Sequence, residues 1–298
     1  MKRVLVTGIN GFIGRQCVPL LVEKGYEVVG CGRIKSEDKR IQWEPINLLD
    51  LDAVETLVKK IKPTHLLNLA WYTEPGEFFK SPENLLWVET GTTLLRAFAE
   101  SGGTRFVGAG SCAEYDWNYG HLSEFITPCK SQTPFGQFKN ALFERSSTYA
   151  ELSNISFAWG RVFFVYGPHE KEARLVASII KSLLAGKEAL CSAGSQIRDF
   201  SHVNDIAGGF VNLLDSDVQG PVNIASGEPT SIKSIAEQIG NILEKPDLIK
   251  LGAIPMAEND PPILTANVRR LQIEAGFKPR YNLASGLKDT ILFFKGEK

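Results

Sequence analysis

The sequence predicts an α/β protein: a doubly wound parallel sheet with a smaller mixed α/β lobe toward the C-terminus. Three observations carry this. Short β-rich runs alternate with stretches of helical spacing through the first half of the chain. A glycine-rich turn, from Thr7 to Gly14, joins the first such run to the first helical stretch. The second half is less regular and is broken by Pro246, Pro255, Pro261 and Pro262.

Residues 2–7 form an apolar run of strand length. Residues 12–24 have helical spacing, with Phe12, Ile13, Cys17, Leu20 and Leu21 on one stripe and Pro19 expected to kink it or cost a hydrogen bond. Strands follow at 26–31, 65–70, 104–109 and 155–165, and helices at 50–60, 82–101 and 136–152. Strands alternating with helices imply βαβ units with right-handed crossovers. Residues 175–185 and 231–243 read as further helices, the second capped by Ser231. The expected division is a sheet domain over 1–165, rejoined by 200–225, and a smaller lobe over 166–298.

The 298 residues carry 33 Lys and Arg against 34 Asp and Glu, a net charge of -1. That balance gives no general attraction for nucleic acid or an anionic membrane. No apolar run approaches the roughly 20 residues of a membrane span. Met1, Lys2 and Arg3 lead straight into the first strand, too short a lead for a secretory signal. The five cysteines are scattered, with no metal-binding spacing. The expectation is a reduced, cytoplasmic protein without a metal.

Gly8, Gly11 and Gly14 stand three apart between the first strand and the first helix. Gly8 suits a tight turn, Gly11 a close approach of backbone to a pyrophosphate, and Gly14 close packing of helix on strand. The phosphate would sit at the helix N-terminus, where N–H groups point outward. An ordinary strand–helix turn is the bland alternative. The strand before the loop and the βα unit after it favour a Rossmann-type dinucleotide site.

The loop, with Phe12 and Ile13, resembles that of the extended short-chain dehydrogenase/reductases: the nucleotide-sugar epimerases, dehydratases and reductases. So do Asn68-Leu69-Ala70, the segment from Arg161 to Pro168, the segment from Gln196 to Asp205, and Asn223-Ile224-Ala225-Ser226-Gly227. The resemblance covers nearly the whole chain. It implies that Gly8, Gly11, Phe12, Ile13, Gly14, Leu69, Ala70 and Trp71 line a nicotinamide dinucleotide. It also implies that Asn47 and Leu48 contact its adenine. Where an NAD site places a carboxylate on the ribose 2′-hydroxyl, this chain has Gly32 followed by Arg33. Room and a guanidinium for a 2′-phosphate favour NADP(H), with NAD(H) possible.

The family's chemistry implies Ser111, a tyrosine and Lys139 as the catalytic set. The tyrosine position is Phe135, although Pro134, Gly136 and Lys139 around it match. Phenylalanine has no proton to give. The chain is either an inactivated Tyr→Phe form or one whose acid is lost or relocated, with Tyr115 and Tyr119 nearby in sequence. Cys112 and Ala113 stand where dehydratases carry an Asp-Glu pair, and Ala113 and Arg174 where epimerase-reductases need Cys and His. Both double chemistries are therefore disfavoured. His169 reads as a structural loop residue.

What remains is hydride transfer at C4 of a nucleotide-linked sugar. Trp71, Tyr72 and the segment from Ser111 to Trp117 are similar to the CDP-abequose synthase type of 4-keto sugar reductase. Ser111, Cys112, Ala113, Arg174 and Arg198 are the expected substrate contacts, Arg198 for the diphosphate. The alternative to that contact is an ion pair of Arg198 with Asp199 or Asp205. Phe164 replaces the family's substrate-contacting asparagine. The alternatives for the whole chain are a 4-epimerase with retained cofactor and a non-catalytic dinucleotide-binding protein. The helices at 82–101 and 136–152 imply a homodimer by the same resemblance.

Overall fold

The computed structural model describes residues 2–256, 258 and 260–297. In chain order the first part contains β1 (Arg3–Thr7), α1 (Gly14–Glu23), β2 (Glu27–Gly32), β3 (Gln42–Pro45), α2 (Leu51–Ile61) and β4 (His65–Asn68). It continues with α3 (Asn84–Glu100), β5 (Arg105–Ser111), β6 (His121–Leu122), α4 (Pro134–Leu152) and β7 (Ser156–Val162). The second part contains β8 (Phe164–Tyr166), α5 (Leu175–Leu184), β9 (Ala189–Leu190), β10 (Ile197–His202), α6 (Val203–Leu214) and β11 (Gly220–Ile224). It ends with β12 (Pro229–Ser231), α7 (Ile232–Ile242), β13 (Ile249–Lys250), β14 (Ile263–Ala266) and α8 (Leu283–Lys295).

Seven parallel strands form the main sheet, in the order β11-β7-β5-β4-β1-β2-β3. The chain starts in the middle, winds out to β3, then crosses back to β4. The order therefore reverses between β1 and β4, and the loops leaving those strands open a crevice there. Alternate side chains of β1 enter different layers. Val4 and Val6 pack with α1 and α6, while Leu5 packs in the layer of α2, α3 and α4. Burial on both faces explains why these strands read as continuous apolar runs.

The helix ends follow local chemistry. The Asp50 side chain accepts from Ala53 N at 3.1 Å and caps α2. Thr133 caps α4 by accepting from Gly136 N, with Pro134 at the first helical position. Ser231 caps α7 as expected, accepting from Ser234 N. Pro19 stays inside α1 with its ring exposed, and the helix continues through it.

The smaller lobe is mixed. β10 pairs antiparallel with β12 and parallel with β14 and β8, and β14 pairs with β6. Beneath it, α5, α7 and α8 bury Ile180, Leu183, Ile235, Ile239, Leu287 and Ile291. Residues of α6 and β11 belong to the main sheet and its helical layer. One expectation is corrected. The single strand over 155–165 is two strands, because the chain bends at Phe163, whose buried side chain packs with Cys112, Tyr115 and Leu122. Beyond the bend β8 leaves the main sheet for β10. Helices α6 and α8 go beyond what the sequence patterns assign.

Candidate active site

The glycine loop leaves β1 at the crevice. Gly8 has φ +69° and cannot carry a side chain: a Cβ would lie 2.9 Å from Ala70 N. A Cβ on Gly14 would lie 2.2 Å from Gly8 O, so α1 can approach the turn only because that position is bare. The Thr7 hydroxyl donates to Asn68 Oδ1 at 2.6 Å and accepts from Ala70 N at 3.2 Å, which ties the end of β1 to Leu69, Ala70 and the loop after β4. Ile13 precedes α1 and gives it no side-chain cap. A bare, tight loop against an uncapped helix start fits a dinucleotide pyrophosphate, with Phe12 half-buried beside it.

At the end of β2, Gly32 is followed by exposed Arg33, and no carboxylate occupies the strand end. Asn10 Nδ2 donates to Ile34 O at 2.7 Å and joins this loop to the glycine turn. Asn47 is exposed, whereas Leu48 is buried and its carbonyl accepts from Thr90 Oγ1.

Ser111 ends β5, half-buried, at the carboxyl edge of the sheet. Its Oγ accepts from Ala113 N, while its own N–H donates to Glu114 Oε1 at 2.8 Å. Glu114 was not singled out by the sequence reading, yet it organises this turn. Its carboxylate takes Trp159 Nε1 at 3.0 Å and Arg161 Nε at 2.6 Å, all within the interior. The signal was present as Ser111-x-x-Glu114, the spacing of a capping box. Cys112 and Ala113 are buried, and burial pushes the Cys112 thiol up to about 12.

Phe135 and Lys139 project from α4 four residues apart, on one face. A Cβ on Gly136 would lie 2.0 Å from Ala113 O, so this bare position clamps the start of α4 onto the Ser111 turn. Phe135 is buried with Phe78 and Ala113, its ring meeting Phe78 edge-on at 4.9 Å and Trp71 at 6.2 Å. Lys139 is 4% exposed. Its Nζ donates to Ala109 O at 2.7 Å and lies 3.7 Å from the Trp71 ring centroid, with the Trp159 and Phe135 rings at about 6 Å. Burial brings its pKa down to about 7, against the opposing field of Glu114. Trp71 is fixed in turn by Asn84 Oδ1, which accepts from its indole N–H at 2.7 Å.

On the lobe side, exposed Arg174 sets its guanidinium over Phe78 at 5.4 Å, next to the Phe135 cluster. Arg198 is buried. Its Nη2 donates to Asp260 Oδ1 at 2.6 Å, and Gln196 Nε2 holds the other oxygen of that carboxylate at 3.0 Å. The ion pair is thus with Asp260, not with Asp199 or Asp205. Asp199 instead accepts from Ser226 and Gly227, and Asp205 from Arg280 and Tyr281. Phe164 lies beneath the Arg198 guanidinium at 5.5 Å. Neither nearby tyrosine reaches the Phe135 position: Tyr115 is buried with its hydroxyl on Asn223 Oδ1, and Tyr119 is half-exposed on a surface turn. His169 packs on Phe293 in the loop after β8. Among the described residues no group of side chains could hold a metal ion, and no helix is long and apolar enough to cross a membrane.

Comparison with known proteins agrees with this layout. UDP-glucuronic acid decarboxylase 1 of Danio rerio is 27% identical over 315 residues, covering 99% of this chain and 73% of that protein. CDP-abequose synthase of Salmonella typhimurium is 24% identical and covers 97% of each chain. The crystal structure of Thermus thermophilus UDP-glucose 4-epimerase in complex with NAD superimposes with a TM-score of 0.87 at 24% identity, over 99% of this chain and 100% of that one. The model of the NAD dependent epimerase/dehydratase family matches residues 4–225. With three quarters of its length under that match, the chain belongs to the NAD dependent epimerase/dehydratase family, among the extended short-chain dehydrogenase/reductases.

Proposed function

We propose that the chain reduces the C4 carbonyl of a nucleotide-linked 4-keto-6-deoxy or 3,6-dideoxy sugar, with NADP(H) as the hydride source. The observation that carries this is the turn after Ser111. Dehydration and 3,5-epimerisation need a further acid and base beside the sugar. For dehydration those places hold Cys112, whose thiol is held protonated by burial, and Ala113, which has no ionisable group; for 3,5-epimerisation they hold Ala113 and Arg174 in place of Cys and His. Hydride transfer at C4 is what this site leaves. The direction follows from the cofactor: Arg33 is exposed just past the end of β2, suited to a 2′-phosphate, and NADPH is a reductant.

In this reading Gly8, Gly11 and Gly14 hold the pyrophosphate and Leu69, Ala70 and Trp71 line the cofactor. Lys139 bonds its ribose, and Ser111 bonds the sugar oxygen. The cofactor supplies the hydride. Arg198 and Arg174 face the diphosphate, and Arg198 must then share its guanidinium between Asp260 and phosphate. The chain acts in the cytoplasm as a homodimer. The test is loss of reduced-nicotinamide absorbance with nucleotide-linked 4-keto sugars, NADPH against NADH. A second reading is a 4-epimerase, supported by a Rhizobium meliloti UDP-glucose 4-epimerase that is 24% identical over 95% of this chain. It predicts cofactor that stays bound through purification and interconversion of 4-hydroxy epimers without net oxidation.

A further inference from the structure

Phe135 leaves the proposed reaction without its usual proton donor, and most protic groups near it are already engaged. The Tyr115 hydroxyl is committed to Asn223 in the interior, and Tyr119 stands on an exposed turn. The Glu114 carboxylate is filled by Trp159, Arg161 and the Ser111 N–H. Lys139 Nζ is buried among aromatic rings and bonded to Ala109 O. Ser111 can hold the sugar oxygen, but an aliphatic hydroxyl is no stronger an acid than the alcohol being made, so it gives the proton no driving force.

Tyr72 differs from these. It follows Trp71 in the loop after β4, at the crevice, half-buried, and its ring packs against the cluster of Phe78, Ala113 and Phe135. Several contacts hold that loop to the site. Phe135 N donates to Phe79 O at 3.1 Å, which joins the loop to the first turn of α4. The Phe78 and Trp71 rings meet Phe135 edge-on. Arg174 closes over Phe78 from the lobe. The Tyr72 hydroxyl donates to Glu77 Oε2 at 2.5 Å, on the same loop. Tyr72 thus combines an ionisable O–H, access to solvent and a ring set against both position 135 and the turn after Ser111.

We infer that Tyr72 supplies the proton that Phe135 cannot, giving its phenolic proton to the sugar C4 oxygen, with Glu77 as the residue that positions it. This rests on the reductase reading above. As C4 takes hydride from NADPH, the C=O π pair moves onto oxygen. That oxygen takes the proton of the phenol, which turns from Glu77 to the sugar. Tyr72 is left as phenolate and regains a proton from water. Ketone, hydride and proton sum to the alcohol. A phenol is a stronger acid than an alcohol, so the transfer runs toward product. The bond to Glu77 holds the phenol up at about 12, so it stays protonated through neutrality, and Glu83 and Glu74 act in the same direction. Facing the loop from the lobe are Lys171, paired to Glu74, and Arg174, over Phe78.

The experiment compares the native chain, Tyr72→Phe, Phe135→Tyr and the double variant, with NADPH and a nucleotide-linked 4-keto-6-deoxy sugar. Tyr72→Phe should lower kcat about 10²-fold or more, while KM and NADPH affinity change by less than about threefold. In the Phe135→Tyr background, where position 135 carries a phenol, the same substitution should cost less than about threefold. A merely structural role would cost the same in both backgrounds. Glu77→Gln should bring the phenol back toward about 10 and move the falling limb of kcat/KM to lower pH. Carbon NMR of the Tyr72 ring, without ligands, gives a readout independent of turnover. The phenol should stay mostly protonated at about pH 10, where an ordinary tyrosine is half ionised. Four results each overturn the Tyr72 proposal: half ionisation at that pH, an equal loss in both backgrounds, a native rate that Tyr72→Phe leaves alone, or an inert native chain beside an active Phe135→Tyr. The reductase reading survives each of them as long as one chain reduces a 4-keto sugar. If all four chains bind NADPH and none reduces any 4-keto sugar, the reductase reading falls and takes the proposal with it.

Discussion

The Glu114 carboxylate and the Arg161 guanidinium meet at 2.6 Å with side chains 0% and 1% exposed, and the same carboxylate holds the Ser111 N–H. A buried pair repays its desolvation only when its remaining hydrogen bonds are made, as Trp159 makes one here. Removing one partner leaves the other charge stranded. Glu114→Gln should therefore destabilise the fold by about 3–5 kcal/mol. Chemical denaturation checks this. A loss under about 1 kcal/mol would mean that Arg161 finds other partners readily.

The cofactor prediction turns on Arg33. One charge-assisted phosphate contact contributes about 1.5–3 kcal/mol, or roughly one to two decades of affinity. NADPH should bind tighter than NADH by that factor, and Arg33→Ala should bring the two together. Calorimetric titration of both cofactors decides. Equal affinities for the native chain would remove the argument for NADP(H).

Arg198 is shared between Asp260 and the proposed diphosphate. Arg198→Ala should weaken sugar-nucleotide binding by about 1.5–3 kcal/mol and leave NADPH binding unchanged. Equal loss of both would show that the Arg198–Asp260 pair is needed for the fold rather than for the substrate.

What the sequence made legible follows from range. The main sheet is buried on both faces, so its strands announce themselves as apolar runs, and Asp50, Thr133 and Ser231 mark helix starts within four residues. The Ser111 turn and the Phe135–Lys139 spacing are equally local. The Arg198–Asp260 pair spans 62 residues and the Tyr115–Asn223 bond 108, and no local period encodes either. Strands β9 and β13 have two residues each, too few to show alternation.

Glu170 gives a pH prediction. It is buried, its Oε2 accepts from Ala177 N at the start of α5, and burial raises its pKa from 4.5 to about 8. In the window between those values the unfolded chain ionises this group while the folded chain keeps it protonated. Its contribution is fully present below about pH 4.5 and declines as pH rises toward 8. Glu170→Gln keeps an acceptor for Ala177 and removes the titration. The variant should gain stability relative to the native chain as pH goes from 5 to 8, read by denaturation at both values. An unchanged difference would mean that Glu170 is already ionised in the fold.

Phe135→Tyr tests the proposed loss of a catalytic phenol at this position. Pro134, Gly136 and Lys139 keep the position, and the Trp71 and Phe78 edges hold the ring in place. In the proposed reading the added phenol would face the sugar oxygen, with Lys139 on the same helix face to lower its pKa. A positioned general acid contributes about 10²–10⁴-fold. Without a phenol at this position, the native chain should turn over slowly. Phe135→Tyr should raise kcat toward that factor, with substrate affinity little changed, since the new hydroxyl acts mainly in the transition state. Steady-state kinetics of both chains with NADPH and a nucleotide-linked 4-keto sugar measure it. If the native chain already runs at an ordinary rate of about 1–10³ per second and Phe135→Tyr adds nothing, the phenol is dispensable in this crevice.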